Sequence, residues 1–378
     1  MRRALTAVAT LLLAGPAAAQ APLGLADCAD AEGVRLCSGL VTARDGVPLD
    51  ATVALPAGAS GPLPLVVLIH GFGNSKHEYL NPDDRAYTGN VYEWARDGYA
   101  VLAYTARGLW GSCGTPDARL ANAAACASGY IHLADVRWEV RDTQELIGRL
   151  VDEGVADPAK LAVTGDSYGG GQSLMLAALS DRVMEPDGTL APWRSPKGTP
   201  LKLAAAAPVI PWSDLLGAIA PNGAPDTRGV VDRGSFRKPV GVFKLTVANA
   251  IAAAAQFATG PGQPAGEPFV PGRPMGFLSP PGLDPEADVL GWVARADRGE
   301  PYDDPELEAI VELVERYHSA YQIDSSWPAG SPTTSSRSAR PCASPIAPAP
   351  STRMCRCRSS SATSATSARR RSRRHARR

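Results

Sequence analysis

The residues best suited to chemistry lie in the run Gly-Asp-Ser-Tyr-Gly-Gly at positions 165–170. This run follows a short apolar stretch and precedes a helical one, which is the context that a Gly-x-Ser-x-Gly nucleophile elbow requires. Gly165 and Gly169 must flank the serine, because side chains in so tight a turn would collide with the neighbouring strand and helix. The turn strains Ser167 and lifts its hydroxyl above the positive end of the helix. We predict that Ser167 is a nucleophile; an ordinary glycine-rich turn is the alternative.

A second run, His-Gly-Phe-Gly at 70–73, follows an apolar strand and is suited to form an oxyanion hole. Acyl transfer builds negative charge on a carbonyl oxygen, and two preorganised backbone N–H groups can stabilise it. Losing one such donor typically costs about 3–4 kcal/mol. The predicted donors are the amides of Phe72 and Tyr168. His70 is interpreted as a brace for the turn, because the catalytic base belongs on a loop near the chain end.

Strands and helices must position these two turns, and the hydrophobic pattern predicts them. The run Pro64–Ile69 is continuously apolar, as in a parallel strand that is buried on both faces. Apolar residues from Leu133 to Leu150 recur at helical spacing and predict an amphipathic helix. The other predicted strands are Ala51–Leu55, Tyr99–Tyr104, Leu161–Thr164 and Leu203–Ile210, and the other predicted helices are Tyr92–Asp97, Gln172–Leu179, Val240–Phe257 and Pro305–Tyr321. This alternation predicts a mostly parallel, doubly wound α/β sheet.

The two runs, together with the loop Ala-Arg-Gly-Leu-Trp-Gly-Ser-Cys-Gly at 106–114, resemble one branch of the α/β-hydrolases. This is the Xaa-Pro dipeptidyl-peptidase and cocaine-esterase-like branch, and the resemblance extends over residues 41–326. It implies an α/β-hydrolase domain at 22–330 with an inserted helical lid at about 211–301. It also implies hydrolysis of an ester or peptide bond through an acyl-enzyme on Ser167, with a triad in the chain order Ser, Asp, His.

The catalytic Asp and His of such a triad are missing in this reading frame. After Asp324 the family pattern calls for more strands, an Asp-bearing loop and a His-bearing loop. Residues 331–378 instead contain Ser, Thr, Ala, Pro and Arg without apolar periodicity. His318 precedes this tail and is predicted to be structural, while His375 stands alone among arginines. We expect this polypeptide to have little or no activity, because nothing takes the hydroxyl proton of Ser167.

The tail at 331–378 has the composition of a hydrophobic sequence that is read out of frame. We regrouped its codons by joining each third base to the first two bases of the next codon. The amino-acid sequence leaves many third bases undetermined. If GC-rich codons are assumed and these bases are chosen accordingly, residues 332–337 become Asp-Asp-Leu-Phe-Pro, and residues 361–366 become Gly-Asp-Phe-Gly-His. These strings resemble the acid-bearing and histidine-bearing segments of the family, in the right order. They predict a frameshift near residues 326–332, in the gene or in its sequencing.

Two other interpretations of the chain are open. The tail carries 12 of the 38 basic residues and none of the 38 acidic ones, so it could be an authentic arm that binds an anionic surface or nucleic acid. Nucleic acid is not an expected partner, because the tail lacks aromatic residues for base stacking and the chain carries an export signal. Alternatively, the chain is a non-catalytic α/β-hydrolase-fold binding protein with a basic, anion-binding tail. Reaction of Ser167 with an acyl-serine probe would separate an enzyme from such a protein.

The first 21 residues have the pattern of a secretory signal peptide. Two arginines precede the apolar stretch Ala4–Pro16, and small residues follow it, so cleavage is expected near Ala19 or Ala21. The apolar core is shorter than the roughly 20 residues that span a bilayer, although an N-terminal anchor is the alternative. We therefore expect a secreted or periplasmic protein with no membrane association beyond export.

The cysteines before the tail form two closely spaced pairs, Cys28 with Cys37 and Cys113 with Cys126. In an exported protein this spacing predicts two local disulfides, with buried free thiols as the alternative. The sequence contains no metal-ligand cluster, phosphate-binding loop or dinucleotide fingerprint, so neither a metal nor a cofactor is expected. The expected partner is a small ester or peptide substrate, and the sequence predicts no oligomeric state.

Overall fold

The computed structural model describes residues 21–83, 88–220, 243–257, 274–299, 304–320 and 323. The signal peptide predicted at 1–21, apart from its last residue, and the tail at 331–378 lie outside the described residues. Part of the lid predicted at 211–301 lies outside them as well. None of the helices within the described ranges has the length and apolar character needed to traverse a bilayer.

Most of the strands belong to one mixed sheet. The described strands are β1 (Asp27–Ala31), β2 (Val34–Thr42), β3 (Pro48–Pro56), β4 (Leu63–Ile69), β5 (Ala100–Tyr104), β6 (Ala156–Asp166), β7 (Arg182–Met184), β8 (Leu190–Pro192) and β9 (Leu203–Val209). The order in the sheet is β1-β2-β3-β5-β4-β6-β9, and β7 and β8 form a separate hairpin. The block β5-β4-β6-β9 is parallel, whereas β1, β2 and β3 add antiparallel strands at one edge.

Strand β4 lies inside the parallel block and is buried on both faces, as its apolar sequence predicts. Its side chains alternate between the two faces because successive residues of a strand point in opposite directions. Leu65, Val67 and Ile69 pack into one hydrophobic cluster. Val66 and Leu68 pack into a second cluster on the other face. The doubly wound α/β architecture follows from this two-sided burial.

The helices cover both faces of the sheet. The described helices are α1 (Val91–Arg96), α2 (Pro116–Ala121), α3 (Glu139–Asp152), α4 (Tyr168–Leu179), α5 (Leu215–Ile219), α6 (Leu245–Phe257), α7 (Val289–Asp297) and α8 (Pro305–Tyr317). Helix α1 contributes Val91 and Ala95 to the cluster around Val66. Helices α3 and α4 contribute buried leucines to the opposite cluster. The prediction of an α/β-hydrolase sheet with helices on both sides is therefore confirmed.

Helix α3 begins later than the hydrophobic pattern predicts. The predicted helix started at Leu133, but Leu133 and Ala134 have positive φ angles of 59° and 63°. Such angles place both residues in the left-handed region, where a right-handed helix cannot continue. The helix begins at Glu139 instead. The residues from 133 to 138 form a largely buried connection that brings the Ala134 amide to the hydroxyl of Tyr168.

Both predicted disulfides are present in the structure. Cys28 of β1 and Cys37 of β2 are directly paired in the antiparallel register, and their sulfur atoms are 2.04 Å apart. The sulfur atoms of Cys113 and Cys126 are 1.99 Å apart. This second disulfide closes the loop that follows β5 and ties it to the end of the segment containing α2. Disulfides of this kind are compatible with an oxidising, extracytoplasmic compartment.

Candidate active site

Ser167 lies at the sharp turn between β6 and α4. Its backbone angles are φ 50° and ψ −108°, a conformation that is strained for a residue with a side chain. Two hydrogen bonds hold it there: the Ser167 amide donates to the Val209 carbonyl at 3.0 Å, and its carbonyl accepts from the Gly171 amide at 2.9 Å. The Ser167 side chain is half-buried and lies at the N-terminal end of α4, where the helix dipole is positive.

The glycines around Ser167 are required by the close approach of neighbouring strands. A Cβ atom added to Gly165 or Gly169 would overlap the carbonyl oxygen of Ile69, at the end of β4. One added to Gly170 would overlap the carbonyl oxygen of Val209, at the end of β9. The elbow is thus pressed between two strands of the sheet, which explains the Gly-x-Ser-x-Gly-Gly sequence.

The turn at 70–73 lies beside the elbow because β4 and β6 are neighbours in the sheet. Ile69 is paired with Gly165, so both strands end at the same edge. The Phe72 ring packs edge-on against the Tyr168 ring, with 5.1 Å between the ring centroids. Within the described part of the chain, neither the Phe72 amide nor the Tyr168 amide donates a hydrogen bond. The two predicted oxyanion donors therefore lie at or beside the elbow.

His70 braces this turn through both of its ring nitrogens. Its Nδ1 donates to the Gly71 carbonyl at 2.7 Å, and its Nε2 accepts from the Ala106 amide at 2.9 Å. Burial lowers the pKa of His70 to about 4, against smaller opposing effects of the Gly71 carbonyl and Asp166. A neutral imidazole with both nitrogens occupied cannot accept a proton from a serine hydroxyl. This geometry agrees with the interpretation of His70 as a structural residue.

Trp110 links the turn to the glycine-punctuated loop after β5. Its indole Nε1 donates to the Gly73 carbonyl at 2.8 Å. The backbone of the same loop also bonds to the segment at 275–277: the Trp110 amide donates to the Met275 carbonyl, and the Phe277 amide donates to the Gly108 carbonyl, both at 2.7 Å. The loop therefore joins the oxyanion turn to the chain that precedes α7. The sequence indicated this loop but not these contacts.

Arg107 anchors the loop through buried ion pairs. Its guanidinium bonds both carboxylate oxygens of Asp142, at 2.8 and 2.7 Å, and both of Asp45, at 2.6 and 3.2 Å. The Arg107 and Asp142 side chains are only 2% and 6% exposed. Burial raises the pKa of Asp142 to about 6, although the neighbouring Arg107 acts in the opposite direction. Asp142 therefore depends on Arg107 to remain charged.

We expect Arg107→Ala to lower the free energy of unfolding by about 3–5 kcal/mol, because it leaves the buried Asp142 carboxylate without its counter-charge. The difference in unfolding free energy between Arg107→Ala and the parent protein should become smaller as the pH falls below the pKa of Asp142, because a protonated carboxyl needs no cation. Urea unfolding at several pH values would measure this. Arg44→Ala is the control, because the exposed Arg44–Glu185 pair should contribute less than about 1 kcal/mol. Equal effects of the two substitutions would contradict the prediction.

The sequence did not indicate the buried hydrogen-bond network around the Tyr168 hydroxyl. The Tyr168 hydroxyl accepts a hydrogen bond from the Ala134 amide at 3.1 Å and donates to Oε1 of Glu139 at 3.3 Å. Burial is the main reason that the pKa of Glu139 is raised to about 8. These hydrogen bonds hold the side chain of Tyr168, the first residue of α4, in place. A long-range arrangement of this kind has no local sequence signal.

None of the hydrogen bonds among the described residues joins a histidine to the Ser167 hydroxyl. His318 is fully buried, and its Nδ1 donates to the Leu133 carbonyl at 2.8 Å. Burial also lowers the pKa values of His318 and His132. His132 lies between the rings of Tyr130 and Trp138. His375 lies outside the described residues.

Comparison with known proteins identifies the region that contains these features. Residues 45–234, half of the chain, match the family model described as X-Pro dipeptidyl-peptidase (S15 family). This range includes the turn at 70–73, the loop at 106–114 and the elbow. No curated protein matches the chain.

Several solved structures resemble the chain at low sequence identity. An acetyl xylan esterase from Paenibacillus sp. R4 is 18% identical, with 79% of this chain and 68% of that chain covered and a TM-score of 0.38. A CocE/NonD family hydrolase from Staphylococcus aureus is 18% identical, with 58% of this chain and 33% of that chain covered and a TM-score of 0.37. The match of half the chain to the family model, together with the sheet and elbow, identifies the chain as a member of the X-Pro dipeptidyl-peptidase (S15) family of α/β-hydrolase serine hydrolases.

Proposed function

We propose that this protein is built as a secreted serine hydrolase that cleaves an ester or peptide bond through an acyl-enzyme on Ser167. The observation that carries the proposal is the strained elbow, which presents Ser167 at the positive end of α4 beside two unbonded backbone amides. A strained serine in such a place is costly to maintain and is typical of nucleophiles. Family membership favours ester or peptide substrates, among them Xaa-Pro dipeptides at the N-terminus of a peptide.

In the proposed reaction the Ser167 Oγ attacks the substrate carbonyl carbon, and a base takes the hydroxyl proton. The carbonyl oxygen becomes an oxyanion that accepts hydrogen bonds from the Phe72 and Tyr168 amides. Collapse of the intermediate breaks the ester or amide bond, and the base returns the proton to the leaving alcohol or amine. Water then attacks the acyl-enzyme and releases the acid and the free serine.

The proposed base and its orienting carboxylate are encoded by the shifted frame and are missing from this chain. In the described part of the chain, His70 has both ring nitrogens occupied, and His318 is fully buried and bonded to the Leu133 carbonyl. We therefore propose that this exact polypeptide is nearly inactive. Resequencing the gene from codon 315 to beyond codon 378 tests the frame. Recovery of Asp-Asp-Leu-Phe-Pro and Gly-Asp-Phe-Gly-His would support it, and codons that regroup to unrelated residues would contradict it.

Export is the second component of the proposal. The N-terminal signal pattern and the two disulfides are mutually consistent, because disulfides persist in oxidising compartments. Expression in a bacterium, followed by fractionation and N-terminal sequencing, would test it. A mature N-terminus near residue 20 or 22 in the periplasm or medium is the expected result. An uncleaved protein in the membrane fraction would favour an anchor instead.

Slow covalent labelling by a fluorophosphonate tests Ser167 directly. The oxyanion amides alone leave a residual rate enhancement of about 10³–10⁴ over water in serine hydrolases that lack a triad member. We therefore expect labelling of one site after long incubation, detected by the mass of the intact protein, and no labelling of Ser167→Ala. Ser173→Ala is the control, because Ser173 is a fully buried serine of the same helix. An unlabelled parent protein would favour a non-catalytic binding function with an anion-binding tail.

A further inference from the structure

Two acidic side chains meet between the oxyanion turn and the nucleophile elbow. Asp166 immediately precedes Ser167, and Glu78 lies in the short 3-10 helix at Lys76–Tyr79 that follows the turn. Both carboxyl groups lie against Gly71: Glu78 Oε2 is 3.0 Å from the Gly71 amide, and a Cβ atom built on Gly71 would be 3.4 Å from Asp166 Oδ2. This proximity allows a hydrogen bond between the two carboxyl groups, which contributes to the raised pKa of Glu78. Glu78 is 8% exposed, so water does not readily separate the two groups. The family resemblance gives no role to this pair.

The Glu78 carboxyl also holds the backbone of the turn. Its Oε2 accepts a hydrogen bond from the Gly71 amide at 3.0 Å and another from the Asn74 side-chain amide at 3.0 Å. Gly71 immediately precedes Phe72, the proposed oxyanion donor. Glu78 therefore connects the turn on one side with the residue before the nucleophile on the other.

Two carboxylates are acceptors only, so a direct hydrogen bond between them requires a proton on one of them. Burial, the hydrogen bond to Asp166 and the charge of Asp166 together raise the pKa of Glu78 to about 8, against smaller opposing effects of the Gly71 and Asn74 donors. The proton is therefore expected to be present at neutral pH and to be lost as the pH rises above about 8.

The other titratable groups around the pair do not replace this proton. Tyr79 donates its hydroxyl to the Ile69 carbonyl at 2.9 Å and lies 3.4 Å from Asp166, and its pKa is raised by burial. His70 is neutral because burial lowers its pKa. On the same short helix, Lys76 is bonded to Asp50 at 2.6 Å and to the Ala51 carbonyl at 3.1 Å, and burial lowers the pKa of His77.

We propose that Glu78 and Asp166 share a single proton, and that this bond clamps the turn at 70–73 to the nucleophile elbow. Glu78 is then a positioning residue for the Phe72 amide, and it acts through the backbone of Gly71. The clamp is closed below the pH at which the pair loses its proton and loosens above it, because two neighbouring carboxylates, one of them buried, repel each other. The positioning role rests on the proposed function, whereas the shared proton does not.

The test is an NMR titration of the full chain with glutamate labelled at the side-chain carboxyl carbon, with Glu78→Gln identifying the Glu78 signal. We expect the Glu78 signal to titrate near pH 8, far above the exposed glutamates. Asp166→Asn should move this midpoint down, because it removes the neighbouring negative charge. A Glu78 signal that titrates with the other glutamates, or a midpoint unchanged in Asp166→Asn, would overturn the shared proton.

Hydrogen exchange of the Gly71 amide reports the clamp without any need for catalysis. Glu78→Gln keeps an acceptor for Gly71 and gains a donor toward Asp166, so it should keep the amide protected and remove the pH dependence of protection. Glu78→Ala should speed exchange by about tenfold or more, the equivalent of one lost hydrogen bond. Glu308→Gln, at an exposed position of α8, is the control.

Unchanged Gly71 exchange in Glu78→Ala, in a protein that remains folded, would overturn the clamp. If Glu78→Ala does not fold, the pH dependence of Gly71 amide exchange in the parent protein and in Glu78→Gln still tests the clamp. Equal pH dependence in both proteins would overturn it. Failure of Ser167 to react with a fluorophosphonate would contradict the proposed function but would leave both NMR results interpretable.

Discussion

Replacing the residues after about 326 with those of the shifted frame should raise the turnover of an activated ester by about 10⁴- to 10⁶-fold over this chain. The expected gain is large because a serine hydroxyl is a weak nucleophile until a base removes its proton. The present chain has the elbow and the predicted oxyanion amides, but none of its described histidines is hydrogen-bonded to the Ser167 hydroxyl. The restored segment would supply the histidine that accepts the Ser167 proton and the carboxylate that orients it.

The comparison should use purified proteins of both lengths, with the concentration of reactive Ser167 measured by fluorophosphonate labelling. Ser167→Ala in the restored chain is the control, and it should return the rate to the level of the present chain. Replacing the histidine encoded at 361–366 of the shifted frame should have nearly the same effect, because triad members act as a unit. Equal rates for the present and restored chains would mean that the base is elsewhere or that the tail is authentic.

The elbow and the parallel sheet were predictable from the sequence because their signals are local. The continuous apolar run of β4 and the glycines around Ser167 each carry their structural meaning within a few residues. The same is true of the cysteine spacings, which predict short disulfide-closed loops. The predicted strands and helices were found where the described residues include them, with ends that differ by a few residues except at the start of α3.

Features that depend on contacts between distant segments could not be predicted. The strands β1 and β2 lack an uninterrupted apolar run, and their pairing depends on the sheet edge formed by β3. The start of α3 was wrong because the apolar spacing at Leu133 reflects burial in a left-handed turn. Glu78 and Asp166 both lie against Gly71 although they are far apart in the chain, so no local pattern could indicate their proximity.

The second large effect is expected for Gly169→Ala, which should lower the free energy of unfolding by more than about 4 kcal/mol or prevent folding. The added methyl group would overlap the Ile69 carbonyl oxygen. That oxygen cannot easily move, because β4 is paired with β5 and β6 on its two sides and the oxygen also accepts the Tyr79 hydroxyl. Urea unfolding followed by circular dichroism would measure the change.

Gly217→Ala is the matched control, since Gly217 is a helical glycine of α5 and the atom nearest to its added Cβ would be an Asp214 side-chain oxygen, at 3.3 Å. Its effect should stay within about 1 kcal/mol, and greater helix propensity could make it stabilising. If Gly169→Ala unfolded at the same urea concentration as the parent, the elbow would not be pressed against β4. The conformation of Ser167 would then depend on its hydrogen bonds with Val209 and Gly171, and the packing of Gly165 and Gly169 on the Ile69 carbonyl would contribute little to it.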